Sequence, residues 1–344
     1  KFTFDRSNVK WILENDGSHS EFIGYDSEES QSKIMKWANE DDQIFVVLDK
    51  TPFYAESGGQ VGDSGSIQNK DFSLNVLDTQ KSGDSIIHIC DLQKGALSED
   101  MNVDCKIDAS RREDIKSNHS ATHLLHQALK DILGSHISQA GSLVGPNYLR
   151  FDFTHPNKLA KNDMEAIDLL VNDKIAENIP VTTEIKTLEE AKKEGATALF
   201  GEKYGEKVRV LTMGSFSKEL CGGTHVSSTG KISKFMITQD KAIAAGVRRV
   251  HAITGQYVDS YLQDEMDTTT RLKEASEKKE LEKKSQSDLL NAIDIDTIIE
   301  NQQQLDNIPF INEEVVLESA EGLKKLNKKL NKKFKSGIAV FSTD

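Results

Sequence analysis

Apolar and polar residues alternate in short runs along the first third of the chain. The run QIFVVL at 43–48 is almost wholly apolar, as in a buried strand, and SLNVLDT, SIIHICDL and MNVDCKID alternate with a period of two. Pro52 and four glycines between 58 and 65 interrupt these runs as turn residues do. We therefore expect residues 1–110 to form a small antiparallel β-barrel, and we interpret KIMKWANEDD at 33–42 as a short helix.

Helical and strand patterns alternate from residue 111 onwards. Apolar residues recur at helical spacing within 111–134, where a helix is predicted to end at Gly134, and a second amphipathic helix is predicted at 161–178. The segments SHISQAGSLVGPNYLRFDFTH, KVRVLTMGSF and KISKFMITQDKAIAAGVRRVHAITG predict strands around these helices. The fold class is therefore predicted to be α+β, with a two-layer α/β domain at 111–255 following the barrel.

The pattern changes again after residue 255. Residues 256–305 are highly charged and carry leucines without a strict heptad, which favours a solvated helical arm over a regular coiled coil. Residues 306–344 predict a strand (EVVLES), a lysine-rich helix and a second strand, like the start of a βαβ unit cut short. These changes give four predicted domains, at 1–110, 111–255, 256–305 and 306–344.

Composition narrows the class of protein. Of the 344 residues 37 % are hydrophobic and 29 % are charged, which fits a folded part with a polar extension. Three cysteines do not make a disulfide framework, and no apolar run is long enough to cross a membrane, so we expect a reducing cytoplasmic setting and no membrane partner. A net charge of −13 argues against a generally basic surface but leaves room for a local basic groove.

Two ligand pairs, each spaced four residues apart, suggest a metal centre. His119 and His123 should lie one turn apart on the first helix, and Cys221 and His225 repeat the spacing about a hundred residues later. One histidine pair alone is more often a pair of ordinary half-buried residues. Three imidazoles and a thiolate suit zinc, although four protein ligands are typical of a closed structural site. For catalysis, Cys221 or one histidine would have to be displaceable.

Neighbouring residues narrow the chemistry further. The first pair reads HSATH, which lacks the glutamate of the H-E-x-x-H motif, so a zinc protease is a poor fit. His126, one turn beyond His123, is a possible fifth ligand, but we expect it to pack or to make a contact behind the metal ligands. Cys90 and Cys105 lie in strand-like runs and are interpreted as buried thiols.

Several long, ordered blocks resemble one family. HSATHLLHQAL, SQAGSLVGPNYLRFDFTHP, ALFGEKYGEKVRVLTMG, FSKELCGGTHV and AAGVRRVHAITG are together similar to the editing domain of bacterial alanyl-tRNA synthetases, and TPFYAESGGQVGD resembles the barrel that precedes it. The arm and tail resemble the start of the family's C-terminal domain, which assists tRNA binding and oligomerisation. No class II aminoacylation or ATP-binding motif is recognisable, so we interpret the chain as a fragment that does not activate alanine.

The resemblance implies an activity and a site. It implies hydrolysis of mischarged Ser-tRNA(Ala) and Gly-tRNA(Ala), with the tRNA(Ala) acceptor end as partner and Zn²⁺ as cofactor. The zinc would be held by His119, His123, Cys221 and His225, and would either anchor the aminoacyl ester or polarise water or the ester carbonyl. Thr122, Gln139 and Ser142 match positions that line the family's editing pocket. Without the resemblance, Thr122 and Ser142 would be expected to bond nearby backbone, and Gln139 to be an exposed strand residue.

Cationic residues near these blocks are candidates for RNA contacts. The residues expected to meet acceptor-stem phosphates are Arg150, Arg248, Arg249, Lys203 and Lys207, although a solvated surface role is as plausible for the two lysines. Gly58-Gly59-Gln60 shares its three letters with the tripeptide by which release factors hydrolyse peptidyl-tRNA. Because a tripeptide is weak evidence, we expect the glycines to form a tight turn with positive φ, and Gln60 to touch the substrate at most.

Two other functions fit the same residues. One is a free-standing trans-editing deacylase, against which the long arm and tail count. The other is a noncatalytic tRNA-binding and dimerisation fragment with a structural zinc, forming a homo-oligomer through its C-terminal region.

Overall fold

Strands of the first hundred residues close into an antiparallel barrel in the computed structural model. The structure describes residues 9–14, 19–40, 43–97, 101–198, 204–317 and 319–342. The strands of this region are β1 (Leu13–Glu14), β2 (Glu21–Phe22), β3 (Glu29–Glu40), β4 (Gln43–Leu48), β5 (Lys50–Thr51), β6 (Gly65–Gln68), β7 (Phe72–Ser82), β8 (Ser85–Gly95) and β9 (Asn102–Ile107). Six of them follow the order β3-β4-β8-β7-β6-β9, and pairing of β3 with β9 closes the barrel. The predicted barrel is confirmed.

The short helix predicted at 33–42 is wrong. Residues 29–40 form β3, which pairs with β4 along one stretch and with β9 along another. Ser32, Ile34 and Ala38 are buried, and a bulge between Ile34 and Lys36 shifts the alternation that a plain strand would show. The irregular spacing of these buried residues resembles a helical pattern. Hydrogen bonding along both edges of β3 outweighs the local propensity for helix.

A helix-on-sheet layer follows the barrel. Its elements are α1 (Ala109–Leu133), β10 (Gln139–Val144), β11 (Leu149–Thr154), α2 (Lys161–Ala176), β12 (Val181–Thr187), α3 (Leu188–Lys193), β13 (Lys207–Met213), β14 (Ser217–Leu220), β15 (Phe235–Ala244) and β16 (Val247–Thr254). One sheet has the order β10-β11-β16-β15 and a second the order β12-β13-β14. Together with the barrel, this arrangement confirms the predicted α+β class.

The long helix α1 is the central element of this layer. Its N-terminus is capped by Asp108, whose side chain accepts from Arg111 N at 3.0 Å, and it ends before Gly134, which has a φ of 112°. Leu125 and Leu129 on α1 pack with Phe151 and Val171 in one fully buried core. The helix therefore presents one face to the sheet core and has a second face for other contacts.

A buried ion pair fixes α1 to the barrel. Arg112 has no exposed surface, and its Nε donates to both carboxylate oxygens of Asp63 at 2.9 Å. Its other nitrogens donate to the carbonyl oxygens of Gly24 and Pro52, each at 2.9 Å. Since removing one partner would leave an uncompensated buried charge, the start of α1 is held firmly against the barrel loops.

The chain divides into two compact units, residues 1–260 and 261–344. The long helix α4 (Gln256–Ala292) is followed by α5 (Ile295–Glu300), β17 (Gln303–Leu305), β18 (Ile308–Glu314), α6 (Ala320–Lys333) and β19 (Ile338–Ser342). The strands β18 and β19 pair in parallel and are connected by α6, which gives a βαβ unit. Its first strand lies earlier in the chain than EVVLES, the segment predicted to form it. The four predicted domain boundaries stay predictions. No helix among the described residues is long and apolar enough to cross a membrane.

A neutral histidine lies inside the barrel. His88 has no exposed surface, and its Nδ1 lies 3.0 Å from the Val46 carbonyl oxygen. Since a carbonyl only accepts, Nδ1 carries the proton, and Nε2 accepts from the Thr51 hydroxyl at 2.8 Å. Burial lowers the pKa of His88 to about 4.

We expect acid to destabilise the barrel through His88. Its folded pKa of about 4 lies below the ordinary 6.5, so the unfolded chain binds more protons as pH falls between these values. The contribution of His88 to the free energy of unfolding should be complete above the ordinary pKa and fall by about 3 kcal/mol as pH falls through the folded pKa. His88→Gln should therefore unfold with a shallower dependence on pH.

Tryptophan fluorescence provides the measurement. Both tryptophans of the chain, Trp11 and Trp37, pack against barrel residues, so their emission follows the unfolding of this region in denaturant. Equal pH slopes for wild type and His88→Gln would contradict the assignment.

Candidate metal centre

The helix α1 and the turn after β14 bring four ligand residues together. The candidate ligand atoms of His119, His123, Cys221 and His225 all lie within 4.8 Å of one another. Cys221 Sγ lies 3.4 Å from His119 Nε2 and 3.3 Å from His225 Nε2. The predicted pairs, distant in sequence, thus form one cluster, which we call the metal cluster.

Helical geometry explains the first pair. One turn of α1 separates His119 from His123, and their rings lie nearly parallel at a centroid distance of 5.3 Å. The second pair comes from the glycine-rich turn between β14 and the following segment. A side chain at Gly223 would collide with the His119 ring, so only glycine lets this turn approach α1 so closely.

Each imidazole of the cluster has its Nδ1 beside a polar group. His119 Nδ1 lies 2.8 Å from Gln60 Oε1, His123 Nδ1 lies 2.7 Å from Glu219 Oε2, and His225 Nδ1 lies 3.4 Å from Ser120 Oγ. Hydrogen bonds at Nδ1 leave Nε2 as the nitrogen available for a ligand. The three rings are therefore oriented for metal binding through Nε2.

Two observations test whether a metal fits. His123 Nε2 is buried and has no hydrogen-bond partner among the described residues, which is costly for a polar atom unless something else binds it. The donor set, three imidazoles and a thiol, belongs to the types that hold transition metals. The residues therefore fit a metal ion.

The charges of the cluster point the same way. Burial opposes ionisation of Cys221, but the neighbouring histidines, His119 first, hold the pKa of its thiol well below the ordinary value. Burial also disfavours a charged His123, yet Glu219 and Cys221 more than offset it and raise the pKa of His123 to about 10. Burial lowers the pKa of His225 to about 3. The Cys221 thiolate and the Glu219 carboxylate are thus two buried anions beside the imidazoles, and their negative charge favours binding of a cation.

Glu219 supports the cluster from behind. It is 3 % exposed, and its two oxygens contact His123 Nδ1 at 2.7 Å and His126 Nδ1 at 2.9 Å. Burial would raise the pKa of Glu219, but His123 and His126 lower it. Sequence reasoning missed this residue, although a glutamate two positions before Cys221 was the available signal. His126 bonds to Glu219, which in turn bonds to His123, and its ring packs beside Phe151.

A cavity of about 230 Å³ opens beside the metal cluster. Thr122, Gln139 and Ser142 line this cavity together with His119, His123 and Cys221. The Thr122 hydroxyl donates to the Asn118 carbonyl oxygen at 2.8 Å, as expected for a residue within a helix. Ser142 Oγ lies 3.4 Å from the Gly58 carbonyl oxygen, and Gln139 Nε2 lies 3.5 Å from Ser142 Oγ.

The barrel forms one wall of this cavity. Tyr54, Ser57 and Gly58 line it from the barrel side. Another barrel residue, Tyr25, donates its hydroxyl to the Gly222 carbonyl oxygen at 2.5 Å, and the Arg209 guanidinium lies 4.3 Å from the Tyr25 ring centroid. Arg209 also donates to the carbonyl oxygens of Cys221 and Gly223, so the turn that carries the thiol is held by both parts of the unit.

Gln60, which was expected to touch the tRNA substrate at most, lies inside the site. Gln60 has no exposed surface, and its side chain bonds to His119 and Thr224 inside the site. The turn expected at Gly58 and Gly59 is confirmed, with φ values of 60° and 88°.

The cationic candidates lie in different environments. Arg248 is buried and makes two hydrogen bonds to Asp240, at 2.7 and 2.6 Å, which leaves little of its charge for a phosphate. Arg249 pairs with Asp152 in the same way but is more exposed, and Arg150 lies 3.9 Å from that carboxylate. Lys207 is exposed on β13. Lys203 lies outside the described residues.

Two family models match parts of the chain. Residues 5–111 match "tRNA synthetases class II (A)", and residues 208–251 match "Threonyl and Alanyl tRNA synthetase second additional domain". The first match falls on the barrel, where the sequence alone indicated only the segment that precedes an editing domain. The second runs from β13 into β16 and includes the turn that carries Cys221 and His225.

Curated relatives match most of the chain. The alanine–tRNA ligase of Cytophaga hutchinsonii is 46 % identical over 286 residues, which is 81 % of this chain and 32 % of the relative. The alanine–tRNA ligase of Haemophilus influenzae is 45 % identical over 303 residues, 86 % of this chain and 33 % of the relative. That of Thermoanaerobacter pseudethanolicus is 44 % identical over 297 residues, 83 % of this chain and 32 % of the relative. The chain, which spans about a third of the length of these relatives, therefore belongs to the alanyl-tRNA synthetase family.

Proposed function

We propose that this chain performs post-transfer editing: it hydrolyses the ester bond of Ser-tRNA(Ala) and Gly-tRNA(Ala), with Zn²⁺ in the metal cluster. One observation carries the proposal. The four metal-competent side chains and the three residues expected to recognise the amino acid line or adjoin a single cavity of about 230 Å³. A cavity of that size suits a small aminoacyl group.

Zinc is the metal that this donor set suits best. Three imidazoles and one thiolate are common ligands of tetrahedral zinc, whereas iron–sulfur clusters require more thiolates. Bound zinc supplies a Lewis acid beside the cavity, which either anchors the aminoacyl ester or polarises its carbonyl or a water. Cys221 and His225 are the more exposed pair of the four, so they are our candidates for the displaceable ligand.

The Thr122 hydroxyl is positioned to recognise serine. Its proton is donated to the Asn118 carbonyl oxygen, so its lone pairs remain to accept a hydrogen bond within the cavity. A serine side chain would donate to Thr122, whereas the methyl group of alanine would cover this acceptor without bonding it. Leaving a buried acceptor unpaired costs about 1–3 kcal/mol, which disfavours the correct product, Ala-tRNA(Ala).

The same contact accounts for the acceptance of glycine. Glycine has no methyl group to cover the Thr122 hydroxyl, so a water molecule can occupy that position and bond it. Ser142 and Gln139, both on β10, lie close enough to each other to bind such a water together. Alanine is thus disfavoured because its methyl group prevents any hydrogen bond to the Thr122 hydroxyl. Glycine and serine both leave that hydrogen bond possible, so both are hydrolysed.

The acceptor end of tRNA(Ala) is the proposed partner. The ester bond joins the amino acid to the terminal adenosine, so the RNA must lie at the mouth of the cavity. Among the arginines first considered, Arg150 and Arg249 are the better candidates for phosphate contacts, because Arg248 is buried in its ion pair. The ligation reaction named for the relatives, and assembly of chains through the C-terminal region, remain proposals.

A single-turnover assay tests the proposal. We expect the chain to release serine from Ser-tRNA(Ala) and glycine from Gly-tRNA(Ala) at least about 10-fold faster than alanine from Ala-tRNA(Ala), as the cost of one unpaired acceptor implies. Equal rates, or no release above buffer, would reject editing and leave the noncatalytic alternative.

His123→Ala should remove the metal. Wild type is expected to bind about one zinc ion per chain. Loss of a ligand should weaken zinc binding by more than the ~10–100-fold that is typical when a residue hydrogen-bonded to a ligand is lost. Deacylation should be lost as well, while far-ultraviolet circular dichroism stays near wild type, because the large core does not depend on the metal. The matched control is His155→Ala, since His155 lies outside the metal cluster and bonds to His136. Unchanged zinc content in His123→Ala would refute its role as a ligand.

Thr122→Val should reduce the preference for serine over alanine. The substitution keeps the shape of the side chain and removes the hydroxyl, so the preference, measured as a ratio of single-turnover rates, should fall by about 10-fold. Thr182→Val, on the exposed surface of β12, is the control and should leave the ratio unchanged. A preference equal to that of wild type would show that another group recognises serine.

A further inference from the structure

Gln60 ends the tripeptide Gly58-Gly59-Gln60, and neither cleavage nor amino-acid recognition, as proposed above, uses its side chain. The residue belongs to the loop between β5 and β6 of the barrel, yet its side chain lies among residues of the helix-on-sheet layer. It has no exposed surface, so it touches neither solvent nor RNA. A buried amide needs partners, and the identity of those partners defines its role.

Hydrogen-bond donors fix the orientation of this amide. The backbone N–H of Thr224 can only donate, and it lies 2.9 Å from Gln60 Oε1, so the oxygen faces Thr224 N. On the other side, Gln60 Nε2 donates to Thr224 Oγ1 at 2.9 Å. The amide is therefore locked in one orientation by a single neighbouring residue.

This orientation determines the tautomer of His119. Gln60 Oε1 also lies 2.8 Å from His119 Nδ1, and an oxygen that only accepts requires the proton to be on Nδ1. The lone pair of the neutral ring then lies on Nε2, which is the nitrogen 3.4 Å from Cys221 Sγ. The opposite tautomer would place two acceptors face to face in a buried site.

We propose that Gln60 is a positioning residue of the metal centre: it holds the His119 ring in the tautomer and orientation that bind the metal through Nε2. This inference rests on the metal role proposed above for His119. Glu219 has the corresponding position at His123, so a barrel amide and a strand carboxylate orient successive histidines of α1. The barrel is then a component of the metal centre as well as a wall of the cavity.

The loop around Gln60 is built for this placement. Gly59 has a φ of 88°, and a side chain there would collide with Ser142 Oγ. Its carbonyl oxygen accepts from Val144 N at 2.7 Å, and Val61 N donates to the Val144 carbonyl oxygen at 3.1 Å. These bonds join the loop to β10 on both sides of Gln60, so its side chain is directed towards His119.

Three substitutions separate positioning from general stability. Gln60→Leu keeps the approximate volume of the side chain and removes all of its hydrogen bonds. Gln60→Glu keeps an acceptor for His119 Nδ1 and reproduces the histidine–carboxylate pair that Glu219 makes. Gln80→Leu is the matched control, because Gln80 is also a buried barrel glutamine, bonded to Glu56 and Asp78.

The experiment measures Zn²⁺ affinity of the full chain by competition with a chromophoric chelator, with the visible absorption of bound Co²⁺ as a second readout. We expect Gln60→Leu to lose about 10–100-fold in affinity and to shift the Co²⁺ spectrum, as loss of an outer-shell partner does. Gln60→Glu and Gln80→Leu should stay within about threefold of wild type. Gln60→Met is used in place of Gln60→Leu if the latter lacks the wild-type unfolding transition.

Several results would overturn the inference. They are an affinity of Gln60→Leu within about threefold of wild type, an equal loss in Gln80→Leu, and no rescue by Gln60→Glu. Absence of Zn²⁺ binding by wild type would also overturn it. The Zn²⁺ affinity measurement contains no tRNA. If the Zn²⁺ affinities are as expected but wild type does not release serine from Ser-tRNA(Ala), only the proposed function is contradicted.

Discussion

The proposed metal centre depends on one constraint: three imidazoles must leave the same nitrogen free and direct it to one point. A neutral histidine has two possible tautomers, and only a hydrogen bond at Nδ1 selects the one that binds through Nε2. The fold places an acceptor-only group at two of these nitrogens, an amide oxygen at His119 and a carboxylate at His123, and the Ser120 hydroxyl lies 3.4 Å from Nδ1 of His225. The thiol of Cys221 completes the set from a turn whose carbonyl oxygens are held by Arg209 and Tyr25.

This constraint explains why the barrel and the helix-on-sheet layer must be fixed to each other. Gln60 belongs to the barrel and His119 to α1, so a small displacement between them would break the 2.8 Å contact. The buried Arg112–Asp63 pair opposes such a displacement at the start of α1, and the Gly59–Val144 contact opposes it at β10. Buried, fully bonded polar groups of this kind favour one arrangement over its near alternatives.

Local patterns in the sequence predicted much of this architecture. The helix of α1 and the two ligand pairs follow from spacings of four residues, and the barrel follows from strand alternation and glycine turns. The supporting residues could not be predicted in this way, because Gln60 is 59 residues from His119 and Glu219 is 96 residues from His123. No short-range pattern relates positions so far apart. The same limit contributed to the wrong helix at 33–42, where pairing with the neighbouring β4 and with the distant β9 decides the conformation.

The central claim is that three histidines and one cysteine hold zinc at the wall of the cavity. X-ray absorption at the zinc edge, on the full chain loaded with one equivalent of Zn²⁺, tests this most directly. The account predicts three nitrogen scatterers at about 2.0–2.1 Å and one sulfur scatterer at about 2.3 Å. A zinc shell that contains only nitrogen and oxygen, or more than one sulfur, would contradict it.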